Sequence, residues 1–251
     1  MFYAVLFFLF GLGFAWAGRA VGTGNAVAVF FTTGFYSAAA AEFFTGGLYA
    51  AASLLRVNPG RIFKRPDGRL RLWPRPLIWP YLIFEYRLWR RYRKQAKEPL
   101  YEQVSDGLWL GSLPTEAEMP GLRADGISAA LDLVAELSDP PALRRAFRYL
   151  CLPTLDGCAP TLKEFAVGVD FVKECRAEGR GALVHCTFGH GRSAALMAAS
   201  LVALGQATDA ADALARLKKL KRKIFLSREQ KEMLERYIGG LQGSSSQHGS
   251  A

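Results

Sequence analysis

The chain has 251 residues, of which 51% are hydrophobic, and its formal net charge is +10 at pH 7. Residues 1–98 contain 14 Lys/Arg and 4 Asp/Glu (14 − 4 = +10), whereas residues 99–251 contain 18 of each, so the excess charge is confined to the N-terminal part. A basic balance restricted to one segment does not indicate a nucleic-acid-binding domain, and we expect no nucleic acid partner.

Two apolar stretches open the chain. Residues 2–17 carry no charge, and residues 26–55 carry only that of Glu42. A polar, Gly-rich break separates the two stretches, so we predict a transmembrane helical hairpin over residues 1–57. A third short span after Glu42 is an alternative. A cleaved signal peptide is the less favoured interpretation, because the first three residues carry no Lys or Arg and a second apolar stretch follows.

A basic and aromatic segment comes next. Between Arg56 and Lys97 there are 13 Lys/Arg and two acids, with Trp and Tyr interleaved and five prolines that should break regular helix. This mixture suits an anionic membrane surface, so we assign residues 58–98 as a juxtamembrane linker, with an interfacial helix or re-entrant piece over residues 79–92. The alternative is a basic linker that is simply exposed to solvent.

The same basic segment predicts the orientation of the chain. By the positive-inside rule, the segment and the domain that follows it lie in the cytoplasm, which makes the chain a multi-pass membrane protein with a cytoplasmic domain. The Ala-, Gly- and Arg-rich composition suggests a bacterial inner membrane. The sequence does not indicate an oligomeric state.

Strand and helix patterns alternate over residues 99–241. Short apolar runs predict strands at 108–111, 126–134, 148–152 and 182–185. Helical patterns begin at Thr161, Ser193, Thr208 and Arg228, and Thr161…Glu164 and Ser227…Gln230 read as capping boxes. The alternation predicts an α/β domain with a central, mostly parallel sheet flanked by helices. Residues 242–251 are Ser- and Gly-rich, which predicts a disordered tail.

The segment from His185 to Ser193, HCTFGHGRS, lies between a predicted strand and a predicted helix. Backbone N–H groups in such a turn point inward, and the helix N-terminus adds partial positive charge, so the loop should cradle an anion. Arg192 adds a planar, bidentate donor for two oxyanion oxygens. We therefore predict a phosphate site that is formed by Thr187, Phe188, Gly189, His190, Gly191 and Arg192.

Cys186 lies at the base of this predicted cradle. Nearby cations and a helix N-terminus lower the pKa of a thiol, so Cys186 should be a thiolate that faces the bound phosphorus. The hydroxyl of Ser193 can donate to that thiolate, and His185 can support it through hydrogen bonds. A buried structural cysteine is the alternative. None of the four cysteines, Cys151, Cys158, Cys175 and Cys186, forms a CxxC pair or part of a dense framework, so we expect reduced thiols and neither a zinc site nor a disulfide scaffold. We also expect no metal and no cofactor, because the loop N–H groups and Arg192 would neutralise the charge of a bound phosphate.

These nine residues resemble the HCxxGxxRS signature of the cysteine-dependent dual-specificity phosphatases, which belong to the protein tyrosine phosphatase superfamily. The likeness extends over residues 99–241. It implies a phosphocysteine intermediate on Cys186, phosphate binding by Arg192, and an upstream loop aspartate as general acid. Asp156 stands 30 residues before Cys186 in a turn-rich loop, and we favour it for that role on its position and the family likeness; a turn-forming Asp-Gly is the alternative. Asp132 and Asp139 are poorer candidates.

The resemblance implies a membrane-anchored phosphomonoesterase that acts on phosphotyrosine, phosphoserine or phosphothreonine in proteins. A phospholipid headgroup phosphatase, of the phosphatidylglycerophosphate or phosphoinositide type, is the alternative and would explain the anchor. A phosphate-binding pseudophosphatase is less favoured because both Cys186 and Arg192 are present. A sulfurtransferase or an arsenate reductase is disfavoured by His185 and by the upstream aspartate.

Overall fold

A computed structural model describes residues 1–248 of the chain, and residues 249–251 lie outside the described part. The helices are α1 (Phe2–Val21), α2 (Ala26–Leu55), α3 (Gly60–Phe63), α4 (Arg75–Gln95), α5 (Met119–Ala124), α6 (Pro141–Ala146), α7 (Leu162–Ala177), α8 (Arg192–Ala203), α9 (Ala210–Leu217) and α10 (Arg228–His248). The strands are β1 (Tyr101–Ser105), β2 (Leu108–Ser112), β3 (Ile127–Val134), β4 (Arg148–Thr154) and β5 (Gly181–Cys186).

The strands form one five-stranded sheet in the order β1-β2-β5-β3-β4. Only the β1–β2 pair is antiparallel; β2, β5, β3 and β4 pair in parallel. β5 is therefore a central strand, and all six of its residues are buried. The predicted α/β architecture with a mostly parallel sheet is confirmed, and the carboxyl end of β5 lies where parallel sheets place their sites.

Helices cover both faces of the sheet, as a parallel sheet requires. One core packs β-strand side chains against α7, α8 and α10, with Phe165, Leu196 and Leu234 fully buried. A smaller core on the other face is built around Leu122, Leu143 and Leu183. Both predicted capping boxes form: the Thr161 hydroxyl accepts from Glu164 N at 3.3 Å, and the Ser227 hydroxyl accepts from Gln230 N at 3.1 Å.

Helices α1 and α2 form an antiparallel hairpin, and both are long and apolar enough to cross a membrane. The Asn25 side chain caps α2 by accepting from Ala28 N at 2.8 Å. Glycines allow the two helices to approach closely: a Cβ at Gly11 would lie 2.7 Å from the Phe43 ring. α2 is unbroken over 30 residues, so the third span considered after Glu42 is wrong.

The segment after the hairpin is folded onto the α/β domain instead of forming a solvated linker. α4 spans 21 residues although it contains prolines, because Pro76 occupies the first turn, where no intrahelical N–H bond is lost. A further proline, Pro80, lies inside α4. Buried Phe63, Ile78 and Tyr81 join the hairpin and the loops of the sheet in one apolar cluster.

Lys64 belongs to this segment, and its side chain is fully buried. Its ammonium group lies 2.5 Å from Asp132 Oδ2 and also donates to the carbonyls of Val134 (2.9 Å) and Leu137 (2.6 Å). A charged side chain inside a protein needs a charged partner and hydrogen bonds to offset its desolvation. Lys64 therefore fixes both the segment and the loop that follows β3.

At the C-terminus, α10 continues to His248. The predicted disordered tail, residues 242–251, stays a prediction, and residues 249–251 lie outside the described residues. The start of α10 is fixed by its capping box and by buried Leu234 and Ile238.

We expect Lys64→Met to lower the free energy of unfolding by about 3–5 kcal/mol, because it leaves the Asp132 carboxylate buried without its cation. Thermal unfolding of the full-length protein in detergent, followed by tryptophan fluorescence, measures the change. Arg61→Met is the matched control. Arg61 is 65% exposed and 3.5 Å from Glu164, so its loss should cost at most about 1 kcal/mol. Equal effects of the two substitutions would contradict this account of Lys64.

Candidate active site

The predicted phosphate loop lies at the carboxyl end of β5 and at the start of α8. β5 ends at Cys186, and α8 begins at Arg192, so five residues make the turn. β2 and β3 flank β5, and the register pairs Ser112 with Cys186. The strand–loop–helix arrangement that the sequence predicted is present, and the N-terminus of α8 points toward the loop.

Gly189 is required by the backbone at this turn. Its φ of +79° lies in the left-handed region, and a Cβ at this position would be 2.6 Å from the carbonyl oxygen of Gly111. Any side chain would therefore be strained in conformation and would also clash with β2. With glycine here, the loop folds closely enough for Gly189 N to donate to Cys186 Sγ at 3.2 Å.

The Cys186 thiol is buried at the base of the loop and receives several donors. The Ser193 hydroxyl lies 3.2 Å from Sγ, the same distance as Gly189 N. Burial alone would raise the pKa of Cys186, but the Arg192 guanidinium outweighs it together with the hydrogen bonds from Ser193 and Gly189, and the net pKa is lowered. The environment thus favours a thiolate.

Arg192 is buried, with 1% of its side chain exposed, and it is held at several points. Nη1 lies 2.9 Å from Glu136 Oε2 and donates to the Thr154 carbonyl at 2.6 Å; Nη2 donates to Thr187 Oγ1 at 2.9 Å. Nη2 also lies 3.2 Å from Asp156 Oδ1. Nε is buried without a protein partner, which leaves one guanidinium donor for an oxyanion.

Glu136 is the site residue that the sequence did not reveal. Its fully buried carboxylate binds Arg192 and accepts hydrogen bonds from the Tyr81 hydroxyl (2.9 Å) and from the backbone N–H of Asp156 (2.7 Å). One carboxylate thus positions both Arg192 and the loop that carries Asp156. Its place just after β3, at the carboxyl edge of a parallel sheet, was the signal that could have indicated it.

Asp156 lies beside the cradle, as expected, on the loop that follows β4. Its side chain is 31% exposed and in contact with Arg192. Burial raises the pKa of the Asp156 carboxyl. The Arg192 guanidinium lowers it by less than burial raises it, and the Glu136 carboxylate adds a further upward contribution, so the net shift is upward. A carboxyl that holds its proton to higher pH beside a phosphate site is suited to donate it.

His185 points away from the cradle, behind Cys186. Its Nε2 lies 3.3 Å from Asp139 Oδ2, and both side chains are fully buried. Burial lowers the pKa of His185, but the Asp139 and Asp132 carboxylates together raise it, and the net shift is upward. Asp132, Asp139 and His185 offer ligand atoms within 4.8 Å of one another, but the Lys64 ammonium already neutralises Asp132, so this cluster is an internal ion-pair network.

Phe188 and His190 are turned toward α4 rather than toward the cradle. The Tyr92 ring packs edge-on against Phe188 with centroids 5.1 Å apart. His190 Nε2 lies 2.8 Å from Glu98 Oε2 and 3.2 Å from the Tyr92 hydroxyl. These two side chains therefore tie the loop to the end of the N-terminal segment, and the loop would meet phosphate through its backbone at these positions.

The predicted residues Thr187, Gly189, Gly191 and Ser193 all lie in the loop or at the start of α8. Gly191 makes room for Gln230, because a Cβ there would be 2.8 Å from Gln230 Oε1. The Gln230 amide is committed elsewhere: it accepts from Ser227 N and donates to the Cys158 carbonyl, each at 2.9 Å. Gln230 thus closes one wall of the site as part of its capping box.

The N-terminal segment covers the side of the site that carries Asp156 and Glu136. The Tyr3 ring of α1 packs on Gly157, where a Cβ would be 2.3 Å from Tyr3 Cε2. Tyr81 of α4 binds Glu136, and the nearby Glu85 is buried with Oε2 unpartnered. Burial, and then the charges of Glu136 and Asp156, raise the pKa of Glu85. Residues outside the phosphatase-like region therefore help to build its site.

Known proteins that resemble the chain include two kinds of phosphatase. It is 25% identical over 188 residues to the phosphatidylglycerophosphate phosphatase PTPMT2 of Arabidopsis thaliana, a match that covers 72% of this chain and 81% of that protein. It is 33% identical over 98 residues to dual specificity protein phosphatase 22 of Xenopus laevis, covering 39% of this chain and 46% of that protein. The chain thus spans about half of the dual-specificity relative and most of the plant one.

Solved structures share the fold. The structure of PTPMT1 in complex with PI(5)P superposes with a TM-score of 0.54 at 22% identity and covers 59% of this chain and 99% of that one. The structure of Tk-PTP in the active form gives a TM-score of 0.52 at 23% identity, covering 56% and 97%. At these identities the likeness concerns the fold alone.

The family model for the dual specificity phosphatase catalytic domain matches residues 108–238, which is more than half of the chain. The matched residues contain the loop from Cys186 to Arg192, the Asp156 loop and the five-stranded sheet except for β1. The sheet, the site geometry and the family match agree, and the chain belongs to the dual specificity phosphatase family.

Proposed function

We propose that this protein is a membrane-anchored phosphatase that removes the terminal phosphomonoester of a membrane phospholipid. One observation carries the choice of a lipid: Tyr3, at the start of the apolar helix α1, packs against Gly157, next to Asp156. A site that is walled by the first turn of a membrane helix opens where lipid headgroups lie. A headgroup phosphate can reach Cys186 there without leaving the membrane.

In the first chemical step, the Cys186 thiolate attacks the phosphorus and a sulfur–phosphorus bond forms. The bond between phosphorus and the leaving oxygen breaks, and Asp156 donates its proton to that oxygen, so that the product leaves as a neutral alcohol. Arg192 Nε and the loop N–H groups offset the negative charge on the phosphoryl oxygens. The result is a phosphocysteine.

In the second step, water attacks the phosphocysteine. The Asp156 carboxylate takes a proton from the water, the sulfur–phosphorus bond breaks, and inorganic phosphate and the Cys186 thiolate are released. The Ser193 hydroxyl, 3.2 Å from Sγ, donates to the departing thiolate and makes it a better leaving group. The proton that Asp156 gave to the product in the first step is thus replaced from the attacking water, and the cycle closes.

The proposal also fixes the orientation of the helical hairpin in the membrane. α1 and α2 span the bilayer, and the turn at residues 22–25 lies on the far side. The base of the hairpin, where the Met1 ammonium donates to Ser53 Oγ at 2.9 Å, lies at the membrane surface with the catalytic domain. The basic segment at this base is consistent with a cytoplasmic location.

The plant phosphatidylglycerophosphate phosphatase supports a lipid substrate. Its match covers 72% of this chain. Residues 108 to 251 make up a smaller share than that, since only 13 residues follow position 238, so part of the match lies before residue 108. The likeness to that protein therefore extends beyond the catalytic domain. A phosphoprotein substrate is the second candidate, favoured by the dual-specificity relatives, whose matches cover a shorter stretch of this chain.

The full-length protein should hydrolyse phosphatidylglycerophosphate in phosphatidylcholine vesicles with a kcat/KM at least about tenfold above that for a phosphotyrosine peptide. Released phosphate is the readout, and Cys186→Ser, which lacks the thiolate, is the inactive control. Higher turnover of the peptide would replace the lipid proposal by the phosphoprotein one. Turnover of both substrates equal to that of Cys186→Ser would exclude the enzyme altogether.

Asp156→Asn should slow release of an alkoxide leaving group about 10²- to 10⁴-fold, and release of p-nitrophenolate much less, because that anion needs no proton. The Asp156→Asn profile of kcat/KM should also lose its decline at high pH. In the native enzyme this decline follows loss of the Asp156 proton, whose pKa is raised. Steady-state rates with lipid and p-nitrophenyl phosphate measure both effects.

Asp170→Asn, at an exposed position of α7, is the matched control and should leave both rates intact. An equal loss for the two leaving groups in Asp156→Asn would show that Asp156 acts on the structure of the loop and not as the acid.

A further inference from the structure

A groove runs along α4, between this helix and the loop that follows β3. Its volume is about 980 Å³. Apolar side chains line one part of it, among them Leu70, Leu82 and Ile83, whereas the rest is lined by cations: Arg75, Arg87, Arg90, Arg91 and Lys94. The groove belongs to no part of the mechanism described above, and nearly all of its lining residues precede the region matched by the family model.

The charge in this groove is not balanced by the protein. Within the described residues, none of the five cations forms an ion pair. The pairs Arg87–Arg91 and Arg90–Lys94 stand four residues apart on one helix face, where like charges repel. Such an arrangement costs stability unless an anion binds to it, so the groove is complementary to an anionic ligand.

The groove reaches the catalytic site through a shared residue. Its only acidic lining residue is Glu136, the carboxylate that holds Arg192 at 2.9 Å and the Asp156 backbone at 2.7 Å. Because this carboxylate is committed to those partners, it does not offset the groove cations. The groove therefore lies next to the residue that positions Arg192 and the Asp156 loop.

The arrangement of apolar and cationic residues along α4 indicates which class of anionic ligand fits the groove. On α4, the groove residues Leu82 and Ile83 lie between Arg75 and the four groove cations from Arg87 to Lys94, and the stretch from Leu82 to Lys94 is about 18 Å of helix. Exposed Trp73, Leu77 and Phe84 continue the apolar part outside the groove. An acidic peptide would pair with the cations but would leave the apolar part uncovered. A phospholipid would pair with the cations and also cover the apolar part.

We infer that the groove binds the phosphodiester and glycerol part of an anionic glycerophospholipid while its terminal phosphomonoester occupies the Cys186 loop. The inference rests on the proposed lipid phosphatase activity and adds to it a second phosphate site, on α4. Recognition of two phosphates in one lipid would separate such a substrate from lipids and proteins that carry a single phosphomonoester.

The test compares two triple variants of the full-length protein in neutral phosphatidylcholine vesicles. The groove variant is Arg87→Gln, Arg90→Gln and Arg91→Gln. The control variant, Arg123→Gln, Arg145→Gln and Lys163→Gln, removes the same charge at exposed positions outside the groove. For each protein, kcat/KM is measured with phosphatidylglycerophosphate and with p-nitrophenyl phosphate, and the ratio of the two is taken.

We expect the groove variant to lower this lipid-to-aryl ratio at least about tenfold, mainly through KM, because each lost arginine removes a charge-assisted contact to phosphate. The control variant should keep the ratio within about twofold, as expected for distant surface charges. An unchanged ratio in the groove variant, or an equal fall in both variants, would overturn the inference.

The same assay distinguishes failure of the inference from failure of the proposed function. If the unaltered protein turns over the lipid and the groove variant keeps its ratio, the lipid activity stands and the groove site is wrong. If the unaltered protein prefers a phosphotyrosine peptide, the lipid proposal fails and the groove inference falls with it.

Discussion

The buried guanidinium of Arg192 is the interaction on which the rest of this site depends. A single cation at the start of α8 is bound by the Glu136 carboxylate, the Thr154 carbonyl and the Thr187 hydroxyl. These groups belong to the loop after β3, the end of β4 and the loop after β5. Removing one partner from a buried ion pair leaves an uncompensated charge, which costs about 3–5 kcal/mol. The loops around the phosphate cradle are therefore fixed together, and the same cation lowers the pKa of Cys186.

The N-terminal segment is part of this arrangement, although the family match begins only at residue 108. Tyr81 donates to Glu136, and Lys64 binds the backbone on both sides of Glu136 through Val134 and Leu137. In the loop between β5 and α8, the His190 side chain is bound by the Glu98 carboxylate. A phosphatase domain that begins at residue 95 or 108 would keep Cys186 and Arg192 but would lose Lys64 and Tyr81, which hold the loop of Glu136 in place.

The sequence predicted the features that depend on local pattern. Alternating strand and helix signals identified the sheet, capping boxes marked the starts of α7 and α10, and the short spacing from Cys186 to Arg192 identified the cradle. Glu136 and Lys64 could not be found in this way, because their partners are 56 and 68 residues away along the chain. Arg222 was hidden for the same reason: it sits in a basic run that looks solvated, yet it is buried and donates to the Leu110 carbonyl at 2.6 Å.

The central claim is that Arg192 and the loop donors keep Cys186 as a thiolate, and its ionisation tests this most directly. The rate of alkylation of Cys186 by iodoacetamide would be followed against pH in the full-length protein, with the modified residue identified by peptide mass spectrometry. Because the donors stabilise the charged form, we predict a half-maximal rate at a pH below the value of about 8.5 for an ordinary thiol. A midpoint at or above that value would mean that burial outweighs Arg192, and it would contradict the account of the site.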